Sequence, residues 1–131
     1  MTLVVAVEQL AREVETVHGV SVDVVAVGDC PLDGDLRAML AAGREATVNS
    51  AKWSGAPMVS LFTEVERKRV SMFVRDRGSG FDPGAVAVDR QGIATSIRGR
   101  MERVGGSVTI RSTVGEGSEV ELSVPRRNGR P

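Results

Sequence analysis

The sequence predicts an α+β fold, a two-layer α/β sandwich in which helices cover one face of a mixed, mostly antiparallel sheet. Three observations carry this expectation. Segments of helical periodicity alternate in blocks with short β-rich runs. The later runs fall into two pairs, each separated by only a few charged or turn-forming residues, which is hairpin spacing. The chain has 131 residues and 41% hydrophobic content, one domain's worth of core-forming sequence.

The first element is a helix running to about Val17, with Leu3, Val7, Leu10, Val14 and Val17 forming an apolar stripe. The stripe starts so close to Met1 that the chain is expected to begin inside a helix of a longer protein. "SVDVVAV", Ser21 to Val27, reads as a strand, and the turn-rich "GDCPLDGD" follows it. A second helix is expected to start near Asp33 or Asp35, either of which can cap it, and to reach about Trp53 before "SGAP" stops it.

Strands over Met58 to Glu66 and Arg69 to Asp76 are expected to pair through the charged "ERKR" turn. Residues 77–94 hold four glycines and a proline with little periodicity, and read as a long loop. A third helix is expected over about Thr95 to Val104. "SVTIRS" and "EVELSV", joined by "TVGEGS", form the second hairpin. The domain is expected to span residues 1–125, with 126–131 a flexible tail.

Seventeen basic residues balance seventeen acidic ones and aromatics are 3%, which disfavours nucleic-acid binding. The single cysteine, Cys30, forms no internal disulfide or cysteine metal site and suits a reducing compartment. The apolar run Leu3 to Val7 is far too short to span a membrane. A cytoplasmic location without direct membrane contact is therefore expected.

Two patterns carry chemistry. On the strand ending at Asp76, the residues Val70, Met72, Val74 and Asp76 share a face, so the carboxylate continues an inward apolar stripe. Either Asp76 caps the following turn by accepting glycine N–H groups, or it accepts from a ligand amine, because the neighbouring sequence shows no side-chain donor on that face. On the second helix, Glu45, Asn49 and Lys52 stand at i, i+4 and i+7, placing a carboxylate, an amide and an ammonium along one stripe. A solvated polar face is the plain alternative. Only two of the seventeen basic residues are lysines, so Lys52 departs from the chain's preference for arginine, and its compact charge suits phosphate.

Four segments in order, "REATVNSAKWSGA", "VRDRGSGFDP", "RQGIATSIRGRMERVGG" and "STVGEGSEVELSVP", resemble the asparagine box, two glycine boxes and terminal strand motif of histidine-kinase ATP-binding domains, members of the GHKL ATPases. The resemblance covers about Arg44 to Pro125 and is nearest to the sensor kinases that partner LuxR-type response regulators. It implies the GHKL ATPase fold and an ATP- and Mg-dependent histidine protein kinase activity.

The resemblance also implies roles residue by residue. Asp76 matches the acceptor for the adenine amino group, and Gly78 and Gly80 the glycines that let backbone approach the base and turn into a lid over residues 82–94. Asn49 matches the Mg²⁺ ligand, and Lys52 a phosphate contact. Glu45 matches the acidic residue that orients or deprotonates the attacking imidazole. Gly92 and Ile93 open the second glycine box, and a helix from about Thr95 would turn its free N–H groups to the phosphates. Ser118 stands in place of a usual threonine and implies a water-mediated contact to the base.

Trp53 replaces a usual histidine or other aromatic and is expected to be core. The only histidine, His18, lies at a helix end, where it suits the C-terminal dipole better than a phosphoacceptor role. The implied partners are the dimerisation and phosphoacceptor domain of the same, membrane-anchored kinase and a LuxR-type response regulator downstream. Two rival functions share the motifs: a serine kinase of the anti-sigma-factor type, and a nucleotide-binding interaction module without transfer activity.

Overall fold

The structure, a computed structural model, describes residues 1–80 and 88–126. Its elements in order are α1 (Leu3–His18), β1 (Ser21–Val27), α2 (Gly34–Trp53), β2 (Met58–Val65), β3 (Arg69–Asp76), α3 (Val88–Glu102), β4 (Ser107–Thr113) and β5 (Gly117–Pro125). The five strands form one sheet in the order β1-β2-β3-β5-β4. β1 runs parallel to β2 and every other pairing is antiparallel. Both expected hairpins are present, and α2 is the crossover between the parallel pair, because parallel neighbours cannot be joined by a tight turn.

The core lies between the helices and one sheet face. α1 contributes Leu3, Val7, Leu10 and Val14, and α2 contributes Leu36, Met39, Ala42 and Ala46. Val59 and Leu61 of β2, Val70, Met72 and Val74 of β3, and Leu122 and Val124 of β5 meet them at the strand period of two. Ile97 and Met101, one helical turn apart, anchor α3. No described element covers the opposite sheet face. There Phe62 and Phe73 stand opposite each other, ring centroids 5.7 Å apart, and Glu119 bridges Arg75 and Arg111 across three strands.

The loop after β1 caps two helices. Asp33 is the N-cap of α2, its carboxylate accepting the Leu36 N–H at 2.8 Å. Asp29 accepts the Val4 N–H at 3.0 Å and the Cys30 C=O accepts the Leu3 N–H at 3.0 Å, while Thr2 caps α1 in extended backbone. The first turn of α1 thus has its orphan N–H groups paired within the chain. α1 starts at Leu3. Val17, expected on the buried stripe, is 73% exposed in the last turn.

The third helix also differs from expectation. α3 begins at Val88 rather than near Thr95. Gly92 lowers helix propensity by about 1 kcal/mol and masks the pattern. Once Ile97 and Met101 pin the later turns, each added residue gains a hydrogen bond without a new nucleation cost. The expected lid spans 82–94, of which 82–87 lie outside the described residues.

Candidate functional site

Asp76 ends β3 on the helix-facing side and is 5% exposed. Its Oδ2 accepts from Ser50 Oγ on α2 at 2.5 Å and from Ser118 Oγ on β5 at 2.8 Å, and its Oδ1 accepts from the Gly78 N–H at 2.9 Å. Ser118 is placed by strand register, because it is the β5 residue opposite Asp76. The side-chain donors that the sequence next to Asp76 does not supply therefore come from α2 and β5. The turn-capping reading holds for Gly78, and two serines complete the set. A carboxylate offers about four acceptor positions, so with the donors among the described residues one position on Oδ1 remains for a further donor.

The glycines after Asp76 answer to close packing of the chain on itself. A Cβ on Gly78 would lie 2.2 Å from the Ser54 carbonyl oxygen, and the next residue, Ser79, donates its N–H to that same oxygen at 2.8 Å. Gly80 has φ +63°, and a Cβ there would lie 2.1 Å from the Thr113 carbonyl oxygen. These contacts bring the α2 end, the loop after β3 and the β4–β5 turn together around the carboxylate.

Asn49, Ser50, Trp53, Ser54, Asp76, Gly80 and Ser118 line a small cavity of about 20 Å³. That volume is about one water's, and the site is open to solvent on one side. Asn49 Oδ1 is buried and has no hydrogen-bond partner among the described residues. A buried acceptor without a partner carries a desolvation cost, which a ligand or metal offsets. A neutral amide oxygen suits Mg²⁺, so Asn49 fits the role the resemblance implies.

The rest of the α2 stripe divides along its length. Glu45, at its start, accepts from Arg100 Nε at 2.7 Å and Ser96 Oγ at 3.1 Å, both on α3. Asn49 is in the middle and Lys52 is exposed at the end. The solvated-face alternative thus fails at Glu45 and Asn49. Trp53 is corrected: it is 44% exposed at the cavity rim, because α2 has by then run past the end of β3.

Gly92 lies within α3, and Ile93 packs partly buried against the hydrophobic core. Thr95 sits inside the helix, so the expected anion site on N–H groups at a helix start near Thr95 is not formed here. His18 is in the last turn of α1, followed by Gly19 in the left-handed conformation. Sequence reasoning missed Ser50, Ser96 and Arg100. Ser50 directly follows Asn49, but nothing in its spacing marked it as facing Asp76.

A larger hollow of about 780 Å³ opens on the sheet face opposite the helices among Val25, Met58, Phe62 and Phe73. Its walls are mainly apolar. The converging polar groups, including the unpartnered amide, instead lie around the small cavity, and the chemistry is assigned there.

No family model matches the chain. It is 33% identical over 85 residues to the signal transduction histidine-protein kinase/phosphatase UhpB of Salmonella typhimurium, a match covering 64% of this chain and 16% of that protein. The ATP-binding domain of PrrB from Mycobacterium tuberculosis superposes with a TM-score of 0.78 at 22% identity, covering 95% of this chain and 94% of that one. The histidine kinase domain of a blue-light activated kinase from Erythrobacter litoralis gives 0.77 at 16% identity, covering 95% and 61%. The α+β fold read from the sequence is therefore that of histidine-kinase ATP-binding domains, and the comparisons agree with the resemblance carried by the four motifs. No helix among the described residues is long and apolar enough to cross a membrane.

Proposed function

We propose that this chain is the ATP-binding catalytic domain of a two-component sensor histidine kinase, of the branch that partners LuxR-type response regulators. It passes the γ-phosphoryl group of ATP to a histidine on a separate dimerisation domain. The observation that carries the reading is one cavity holding both a buried carboxylate with a remaining acceptor position and a buried, unpartnered amide oxygen.

In this reading Asp76 accepts the adenine amino group through Oδ1, while Ser50 and Ser118 hold Oδ2 and fix the carboxylate plane. Asn49 Oδ1 would hold Mg²⁺, which would supply positive charge against that of the phosphates. Lys52, exposed at the same helix end, meets a phosphate as a point charge. One nitrogen of the acceptor imidazole attacks the γ-phosphorus with its lone pair, and the bond to the bridging oxygen breaks. ADP leaves with that electron pair. The proton on the other ring nitrogen passes to the Glu45 carboxylate.

The test is radiolabelled ATP with Mg²⁺, this chain and a separately produced dimerisation domain. Label is expected on the added histidine, slowly and in a concentration-dependent way, because the covalent link between the domains is missing. Asn49→Asp is expected to abolish it. Robust labelling of the lone chain, above all at His18, overturns the reading.

A further inference from the structure

Glu45 is held at two points. Arg100 Nε and Ser96 Oγ both reach Oε1, from positions one turn apart on α3, and no described residue donates to Oε2. The buried Ile97 and Met101, each adjacent in sequence to one of these donors, fix the register of α3 on the core. The positions of both donors are therefore set by the packing of α3 on the core.

We infer that Arg100, assisted by Ser96, is a positioning residue for phosphoryl transfer: it pins Glu45 through Oε1 and leaves Oε2 directed to the acceptor imidazole. This rests on the function proposed above. Stability does not account for the clamp. The pair is partly exposed, with side-chain exposures of 42% for Arg100 and 27% for Glu45, and ion pairs of this kind add little to folding. Orientation does account for it, because an arginine Nε and a hydroxyl meeting on one oxygen fix the plane of a carboxylate that a single donor leaves free to swing.

The experiment measures transfer from ATP to the added dimerisation domain by wild type, Arg100→Ala, Arg100→Lys, Glu45→Gln and the double variant Arg100→Ala/Glu45→Gln. Arg100→Ala is expected to lower kcat about tenfold with KM for ATP little changed and the unfolding midpoint retained. Arg100→Lys is expected to restore part of the loss. In the Glu45→Gln background, Arg100→Ala is expected to cost nothing further, because the two residues act as one unit. Wild-type kcat in Arg100→Ala, or an equal fall in both backgrounds, overturns the inference while leaving the kinase reading intact. A wild-type chain that transfers no phosphate overturns that reading, and the inference with it.

Discussion

Ser50 and Asp76, 26 residues apart in sequence, meet as a buried hydroxyl–carboxylate pair, with Ser50 Oγ donating to Asp76 Oδ2 at 2.5 Å. Together with Ser118 it joins α2, β3 and β5 at one carboxylate. A buried carboxylate is tolerable only when its oxygens are supplied with donors, so this network is what permits Asp76 to end an otherwise apolar stripe.

Removing one donor tests the network. Ser50→Ala is expected to destabilise the domain by about 1 kcal/mol and to weaken ATP binding roughly fivefold, since Asp76 loses one of the contacts fixing its plane. Denaturant titration and calorimetry on the same samples check both effects. Unchanged values for each would mean that Ser118 and the Gly78 N–H suffice.

Asp76→Asn acts on recognition of the base. With the acceptor for the amino group altered, ATP binding is expected to weaken, and the preference for ATP over GTP to fall by about tenfold or more. Calorimetry with both nucleotides checks this; equal affinities already in the wild type would refute the assignment of Asp76.

Stability and function are expected to part at Asn49. Because Asn49 Oδ1 is buried without a partner among the described residues, Asn49→Ala removes an uncompensated acceptor and is expected to change stability by less than about 0.5 kcal/mol. Affinity for Mg²⁺ with ATP is nevertheless expected to drop. Thermal melts with and without Mg·ATP report this: the shift produced by ligand in the wild type should shrink in the variant.

Gly80→Ala meets two obstacles at once, a φ of +63° and the Thr113 carbonyl oxygen 2.1 Å from the new Cβ. Since neither obstacle is a flexible side-chain tip, a loss of about 2–4 kcal/mol is expected in chemical denaturation.

Acid stability is expected to depend in part on Asp29. Burial raises its pKa, but hydrogen bonds from the Val4 N–H, Thr2 and the Cys30 N–H outweigh burial and hold it below the ordinary value of 3.8. A group whose folded pKa is depressed contributes stability that is present above its unfolded pKa and lost as pH falls through the folded one. Asp29→Asn is therefore expected to cost about 0.5 kcal/mol near neutral pH, a small value because the site is exposed and screened. The difference from wild type should shrink below about pH 4, as read from unfolding midpoints across pH.

The sequence by itself determined the order of the elements, all their types and, except for the start of α3, their approximate bounds. Strand alternation placed Asp76 on the inward face, short spacers joined both hairpins, the cap of α2 was narrowed to Asp33 or Asp35, and the stripe Glu45, Asn49 and Lys52 followed from helical period alone. Each of these depends on interactions within a few residues, which local spacing encodes. Docking between elements decided the rest. Ser50 finds Asp76 because a particular turn of α2 lies over the end of β3, and Ser118 finds it because β5 pairs with β3 in one register. Trp53 misses the core because α2 outruns that strand, and Arg100 reaches Glu45 only after Ile97 and Met101 seat α3. Such contacts depend on the relative translation and rotation of whole elements, which the packing of the entire core sets, so no local pattern in the chain announces them.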